Sequence, residues 1–283
     1  MQACPPKIGL ALLTYNSARQ LTHSWSSYLQ TTYPLNICVV DNASTDNTVP
    51  MLREAGVPVH VNEQNTGYSA GMNQCLQMLL DAGVDWLAVV NPDVILSANW
   101  DEAILSPFTS QDRVGIIGTR LVSPSGGILH TGGTITKPSL VYWPTRYQLG
   151  DNWGIVQQDA VCVTRFRHRT QDCKDIERVP WVTFACVMLR ASMLREIGLL
   201  DTLYFLYSSD AELCMRANEA RWEIWYNPVT FVHEGSASVR EAGSDIQQRA
   251  IADLQQFALR EGDYLGSPHW SPDSLGGRDG PLC

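Results

Sequence analysis

At 283 residues, 45% hydrophobic and 17% charged, the chain can bury a sizeable core as one large domain or two closely packed lobes, which excludes wholesale disorder. A formal charge of -9 argues against general nucleic-acid binding, which needs basic faces, but leaves room for a small pocket that takes a diphosphate. Eight cysteines without a C-x-x-C pair read as free thiols of a reducing compartment, and the looser set Cys162, His168 and Cys173 is a weak metal candidate.

In chain order, Met1 to Lys7 shows no signal-peptide pattern and leads into an apolar run, Ile8 to Thr14, that predicts a buried strand. Ser17 to Gln30 carries Leu21, Trp25 and Leu29 at helical spacing. Leu35 to Val40 predicts a second buried strand ending at Asp41, and Asn47 to Ala55 a short helix closed by Gly56. Val57 to Val61 follows as a strand, and Ser69 to Ala82 as a helix with Met72, Leu76, Leu79 and Leu80 on one face. Trp86 to Val90 is a strand ending in Asn91-Pro92-Asp93, and Val114 to Gly118 a further one. Gly126 to Asp175, rich in Gly, Pro and polar residues, predicts long loops or small strands covering a site. Trp181 to Leu189 reads as a strand, Asp210 to Ala220 as a helix, Trp222 to Tyr226 as a strand and Asp245 to Arg260 as an amphipathic helix. Gly266 to Cys283 predicts a mobile tail.

Strand-helix alternation implies an α/β fold with a mostly parallel sheet flanked by helices, and such sheets bind ligands at the carboxyl ends of their strands. Three polar clusters fall at those ends: Thr14-Tyr15-Asn16, Asp41-Asn42-Ala43-Ser44 and Asn91-Pro92-Asp93. No apolar run approaches the roughly 20 residues of a membrane span, so the expectation is a cytoplasmic protein with at most peripheral membrane contact.

Four segments, in this order, resemble family 2 glycosyltransferases and their bacterial rhamnosyltransferase-like branch: Leu13 to Asn16, Val39 to Asp46, Asn65 to Asn73 and Asn91 to Val94. The resemblance spans about residues 7 to 260 and implies the GT-A fold and transfer of a sugar with inversion. It divides the chain into a nucleotide-sugar half, 1–120, and an acceptor-binding and catalytic half of the same domain, 121–265.

The resemblance also assigns residues. Thr14, Tyr15 and Asn16 line the nucleotide, and Asp41 binds its base through the ring N–H. Asn65, Gly67 and Asn73 form the N-x-G loop, and Asn91 with Asp93 stands where relatives have D-x-D. Asp93 and the late His233 would hold Mn2+ or Mg2+ against the diphosphate. Trp181, Phe184 and Glu212 fall in acceptor-side segments, and Asp210 aligns with the catalytic base. His130, Gly132 and Gly133 resemble a loop near the donor sugar, and Trp143, Tyr147 and Trp153 are candidates for stacking on a sugar ring. Four departures stand out: Met72 replaces a frequent Arg, Phe184 a Gly, Ser209 a Glu, and Glu234 a second His.

The implied reaction is a single in-line displacement. A UDP- or dTDP-sugar, with rhamnose favoured by the branch, is the donor, and a glycan or lipid-linked glycan is the acceptor. The chain lacks the Gly-rich phosphate loop that a nucleotidyltransferase or a dinucleotide oxidoreductase needs after its first strand. The remaining alternative is a catalytically inactive nucleotide-sugar-binding relative, motivated by Ser209 and Phe184.

Overall fold

The computed structural model describes residues 5–108, 111–149, 152–234 and 244–265, the side chains of 136–165, 244, 245, 247 and 261–265 excepted. The strands are β1 (Ile8–Thr14), β2 (Leu35–Asp41), β3 (Val59–Val61), β4 (Trp86–Val90), β5 (Val94–Ile95), β6 (Val114–Val122), β7 (Ile128–His130), β8 (Gly133–Leu149), β9 (Asn152–His168), β10 (Glu177–Arg178), β11 (Cys186–Arg190) and β12 (Glu223–His233). The helices are α1 (Ala18–Tyr28), α2 (Thr48–Glu54), α3 (Tyr68–Asp81), α4 (Trp100–Leu105), α5 (Ala191–Ile197), α6 (Ser209–Glu219) and α7 (Ser244–Leu265).

The main sheet runs β10-β12-β6-β11-β4-β1-β2-β3, with β5 on β12 and β7 on β6. On the nucleotide side β3, β2, β1 and β4 are parallel. β11 inserts antiparallel between β4 and β6, and β12 is parallel to β6. Two consequences follow for the site. β11 begins where β4 ends, because Cys186 faces Val90, so residues 183–185 enter the cavity edge. β12 ends on that same edge, which brings His233 to the end of β4.

Strand alternation divides the core between the two faces. Ile8, Leu10 and Leu12 of β1 join Trp86, Ala88 and Val90 of β4 on the face covered by α1 and α4. Ala11 and Leu13 join Leu87 and Val89 on the face covered by α3, α5 and α6.

The fold departs from the sequence expectations in four places. Gly133–Leu149 and Asn152–His168 are not loops or small strands but two long strands, β8 and β9, paired antiparallel. The Gly and Pro content of this stretch obscures its strand character in the sequence. The strand expected over 181–189 begins only at Cys186 and runs to Arg190. The last strand extends to His233, well past Tyr226. On α1 the buried stripe is Leu21, Ser24 and Tyr28, while Leu29 is half exposed. Ser24 and Tyr28 can be buried there because their hydroxyls donate to carbonyls of the Asn91-Pro92 turn. The expectations for the 266–283 tail, for stacking by Trp143, Tyr147 and Trp153, and for Cys162 in a metal cluster lie outside the described residues and side chains.

Candidate active site

A cavity of about 280 Å³ opens at the carboxyl ends of β1 and β4. One wall is built from strand-end loops. Thr14 Oγ1 donates to Asp41 Oδ2 at 2.7 Å, and Ser44 donates to the same carboxylate through its N–H and its hydroxyl at 2.8 and 2.6 Å. The wholly buried Asp41 therefore ties the end of β1 to the loop after β2. Asn42 organises the next loop: its amide donates to the Gly67 carbonyl, and its Oδ1 accepts from Asn62 and Thr66. Gly67 sits at φ 86, ψ 173, a region open in practice only to glycine. Strain concentrates on this edge: three of the five described non-glycine residues with positive φ are Asn16, Ala43 and Ser208.

The floor is the Asn91-Pro92-Asp93 turn. Val94 N–H closes it onto the Asn91 carbonyl at 3.1 Å, Asn91 N–H donates to Ala185, and α1 pins it through Ser24 and Tyr28. The short β5 pairs with the end of β12, His233 opposite Val94. That register sets Asp93 Oδ1 and His233 Nε2 3.2 Å apart.

The opposite wall comes from residues 183–185 and 205–210. Asp210 lies in the first turn of α6, entered through the left-handed Ser208. Burial raises the Asp210 carboxyl above the ordinary aspartate value, against the Ala211 N–H, His168, the Phe184 N–H and the Thr183 hydroxyl, which pull it down. An aspartate so placed keeps proton affinity while remaining open to the cavity, as a general base requires. Beside it, burial first, with help from His168 and Arg169, holds His130 well below the usual imidazole value. His130 Nε2 accepts the Thr183 N–H at 3.3 Å, so the proton of the neutral ring is assigned to Nδ1, which faces His168 Nδ1 at 2.9 Å.

The cavity thus gathers Thr14, Tyr15, Asn65, Gly67, Asn91, Asp93, Phe184, Asp210 and His233 from the residues singled out in the sequence. Five others do not line it. Asn16 turns outward to accept the Thr45 N–H. Asp41 is spent on Thr14 and Ser44. Asn73 brackets Leu200 through both its amide atoms. Trp181 is buried, its indole N–H donating to the Thr134 carbonyl. Glu212 is wholly buried between Arg216 and Arg260. His130, Gly132 and Gly133 also lie off the cavity wall, Gly133 packed against the Trp181 ring. Of the departures, Met72 is wholly buried in the α3-face core, so no charge at that position faces the cavity, and Ser209 and Phe184 are buried parts of the wall.

Sequence reasoning missed Gln20, Tyr68, Thr183, Phe205 to Ser208 and Ile246 as lining residues. Gln20 follows the first strand-end cluster and Tyr68 sits inside a matched motif, so position alone could have flagged both. Ile246, far along the chain, carried no such signal.

Among the described residues the wall holds no Lys or Arg. A diphosphate bound here would meet no cationic side chain from these lining residues. Asp93 and His233 suit the binding of a metal cation, because neighbouring ligands of an octahedral ion with bonds of about 2.1 Å stand about 3 Å apart. No group of three or more His, Cys, Asp or Glu capable of holding a metal occurs among the described residues. Ligand phosphates and water would have to complete the shell.

The family described as Glycosyl transferase family 2 matches residues 10–198. The N-acetylglucosaminyl-diphospho-decaprenol L-rhamnosyltransferase of Mycobacterium tuberculosis (strain CDC 1551 / Oshkosh) is 27% identical over 248 residues, 83% of this chain and 78% of that protein. Among solved structures, TarS 1-349 of S. aureus aligns with TM-score 0.53 at 15% identity, covering 80% of this chain and 60% of its own. GalNAc-T7 with UDP, GalNAc and Mn2+ aligns with TM-score 0.61 at 12% identity, covering 97% and 54%. The fold is GT-A, and the chain spans only part of the length of these two structures. No described helix is long and apolar enough to cross a membrane.

Proposed function

The chain belongs to glycosyl transferase family 2, and from that premise we propose that it is a metal-dependent, inverting glycosyltransferase using a UDP- or dTDP-sugar. The carrying observation is the cavity itself: Asp93 paired with His233 on the floor, and Asp210 on the facing wall. Residues 1–120 then form the donor half and 121–265 the acceptor half of one domain. The identity to an L-rhamnosyltransferase acting on a lipid-linked N-acetylglucosamine supports rhamnose as the sugar and a lipid-linked glycan as the acceptor.

In the proposed reaction Asn65 and Gly67 shape the donor loop, and Tyr15 lies beside the nucleotide. A divalent cation bound by Asp93 and His233 would offset the charge of the leaving diphosphate. The acceptor oxygen attacks the anomeric carbon as the bond from that carbon to the phosphate oxygen breaks, and the hydroxyl proton passes to Asp210. Direct displacement inverts the anomeric centre. The buried Phe184 and the partly buried Tyr68, whose hydroxyl donates to the Phe184 carbonyl, back this wall and limit water access to Asp210. Asp41 supports the donor site from behind, by holding Thr14 and Ser44 in place.

Thermal-shift titration with UDP, dTDP and GDP, with and without Mn2+, tests the donor half: stabilisation by UDP or dTDP that requires Mn2+ is expected. NMR of the product anomer tests inversion, and retained configuration would refute the direct displacement. Protein that binds nucleotide yet never transfers or hydrolyses a donor would instead be a nucleotide-sugar-binding relative, the outcome Ser209 and Phe184 motivate.

A further inference from the structure

The part of the wall that carries Asp210, residues 205–210, lies beyond residue 198, where the family match ends. Its irregular residues 205–207 have no ladder or helix to satisfy their N–H groups. One side chain does so instead. Asp253, buried on α7, accepts the N–H groups of Phe205, Leu206 and Tyr207 at 2.8, 2.7 and 2.9 Å. Three successive N–H groups converging on one carboxylate satisfy donors that would otherwise be stranded.

The same helix grips this stretch at both ends. The Arg249 guanidinium lies 4.5 Å over the Phe205 ring, and Phe257 packs edge-on against Tyr204. Arg260 bridges Asp201 and the buried Glu212 at 3.1 and 2.8 Å. On its cavity side the Phe205 carbonyl accepts the Tyr68 N–H at 2.5 Å, and Gly67 abuts Phe205. Past Tyr207 the chain turns through Ser208 into the helix that begins with Ser209 and Asp210. The stretch held by Asp253 therefore touches the donor loop on one side and launches the base on the other.

We propose that Asp253 is a positioning residue for the transfer reaction: its carboxylate holds residues 205–207 so that the Gly67-Tyr68 loop and Asp210 keep their relative placement. The role rests on the reading of the cavity as the nucleotide-sugar site. It assigns a part in that site to α7, a helix outside the matched family segment.

Asp101 provides the control. It is wholly buried and accepts the N–H groups of Thr32 and Tyr33 at 2.9 and 2.8 Å, the same chemistry away from the cavity. Asp253→Asn and Asp101→Asn would be compared with wild type for melting temperature, Kd for UDP and dTDP with Mn2+, and nucleoside diphosphate release from UDP- and dTDP-sugars, all well below each melting point. Both variants should melt earlier. Only Asp253→Asn should weaken nucleotide binding at least fivefold and cut turnover per folded molecule at least tenfold. If Asp253→Asn does not fold, Asp253→Glu, which keeps the charge on a longer arm, is read by the same criteria. Binding and turnover within twofold of wild type, or equal losses in Asp101→Asn, would overturn the role. Wild-type protein that binds nucleotide but turns over no donor would count against the transferase reading alone, and the binding comparison would still decide the role of Asp253.

Discussion

Gly67→Ala tests how the donor loop meets the catalytic wall. At φ 86, ψ 173 an alanine carries a backbone penalty of about 1–3 kcal/mol. Its Cβ would lie 2.5 Å from Phe205 Cδ2 and 2.6 Å from the Phe205 carbonyl oxygen, closer than real Cβ atoms come. That oxygen is backbone, held by the Tyr68 N–H on one side, while Asp253 holds the N–H of the same residue on the other. It cannot move alone, and shifting the wall adds about 1–3 kcal/mol, as overpacking does. The sum is about 4 kcal/mol. Gly56→Ala supplies the comparison: φ is 76, but nothing lies within 4 Å, so only the left-handed penalty of about 1–2 kcal/mol applies. Urea unfolding of both variants measures the difference, and calorimetry with UDP or dTDP and Mn2+ measures the site. Gly67→Ala should be the less stable by about 2 kcal/mol or more and should lose at least tenfold in nucleotide affinity. Equal stabilities, or wild-type affinity in Gly67→Ala, would refute the contact between donor loop and wall.

Three further outcomes are expected. Glu212→Gln removes a wholly buried charge shared by Arg216 and Arg260; with both arginines partly open to solvent, the loss is about 2–3 kcal/mol, while acceptor KM stays unchanged, and a KM effect without destabilisation would return Glu212 to acceptor binding. EDTA should abolish turnover, and His233→Ala should raise the Mn2+ concentration for half-maximal activity about tenfold or more; full activity in EDTA contradicts the pairing of Asp93 with His233. The pH–rate profile should show an acidic limb above about 3.9, the ordinary aspartate value. The sign follows from Asp210: only its ionised form takes a proton, and burial favours the protonated form up to a higher pH. A limb at or below that value argues against Asp210.

The parallel part of the sheet was legible because buried parallel strands write themselves as continuous apolar runs. β1 and β4 match their expected limits, and of the polar residues at their ends all but Asn16 reach the cavity. The α1 stripe misled because Ser24 and Tyr28, polar by type, are buried against carbonyls some sixty residues away. Asp41 and Asn73 sit in motifs, but the motif does not say which way a side chain points: Asp41 holds Thr14 and Ser44, and Asn73 holds the Leu200 backbone. Glu212 had a readable signal: Arg216 stands four residues on, the spacing of a helical ion pair. Asp253 had none, since its partners lie 46 to 48 residues earlier and are backbone N–H groups with no side-chain signature.

The transferase reading stands or falls with Asp210. The direct measurement is nucleoside diphosphate release from UDP- and dTDP-sugars in Mn2+, wild type against Asp210→Asn, with nucleotide binding measured alongside. The expected result is release by wild type, at least a hundredfold less by Asp210→Asn, and equal binding by both, in line with the roughly 10²–10⁴-fold contribution of a general base. Release by Asp210→Asn at the wild-type rate would contradict it.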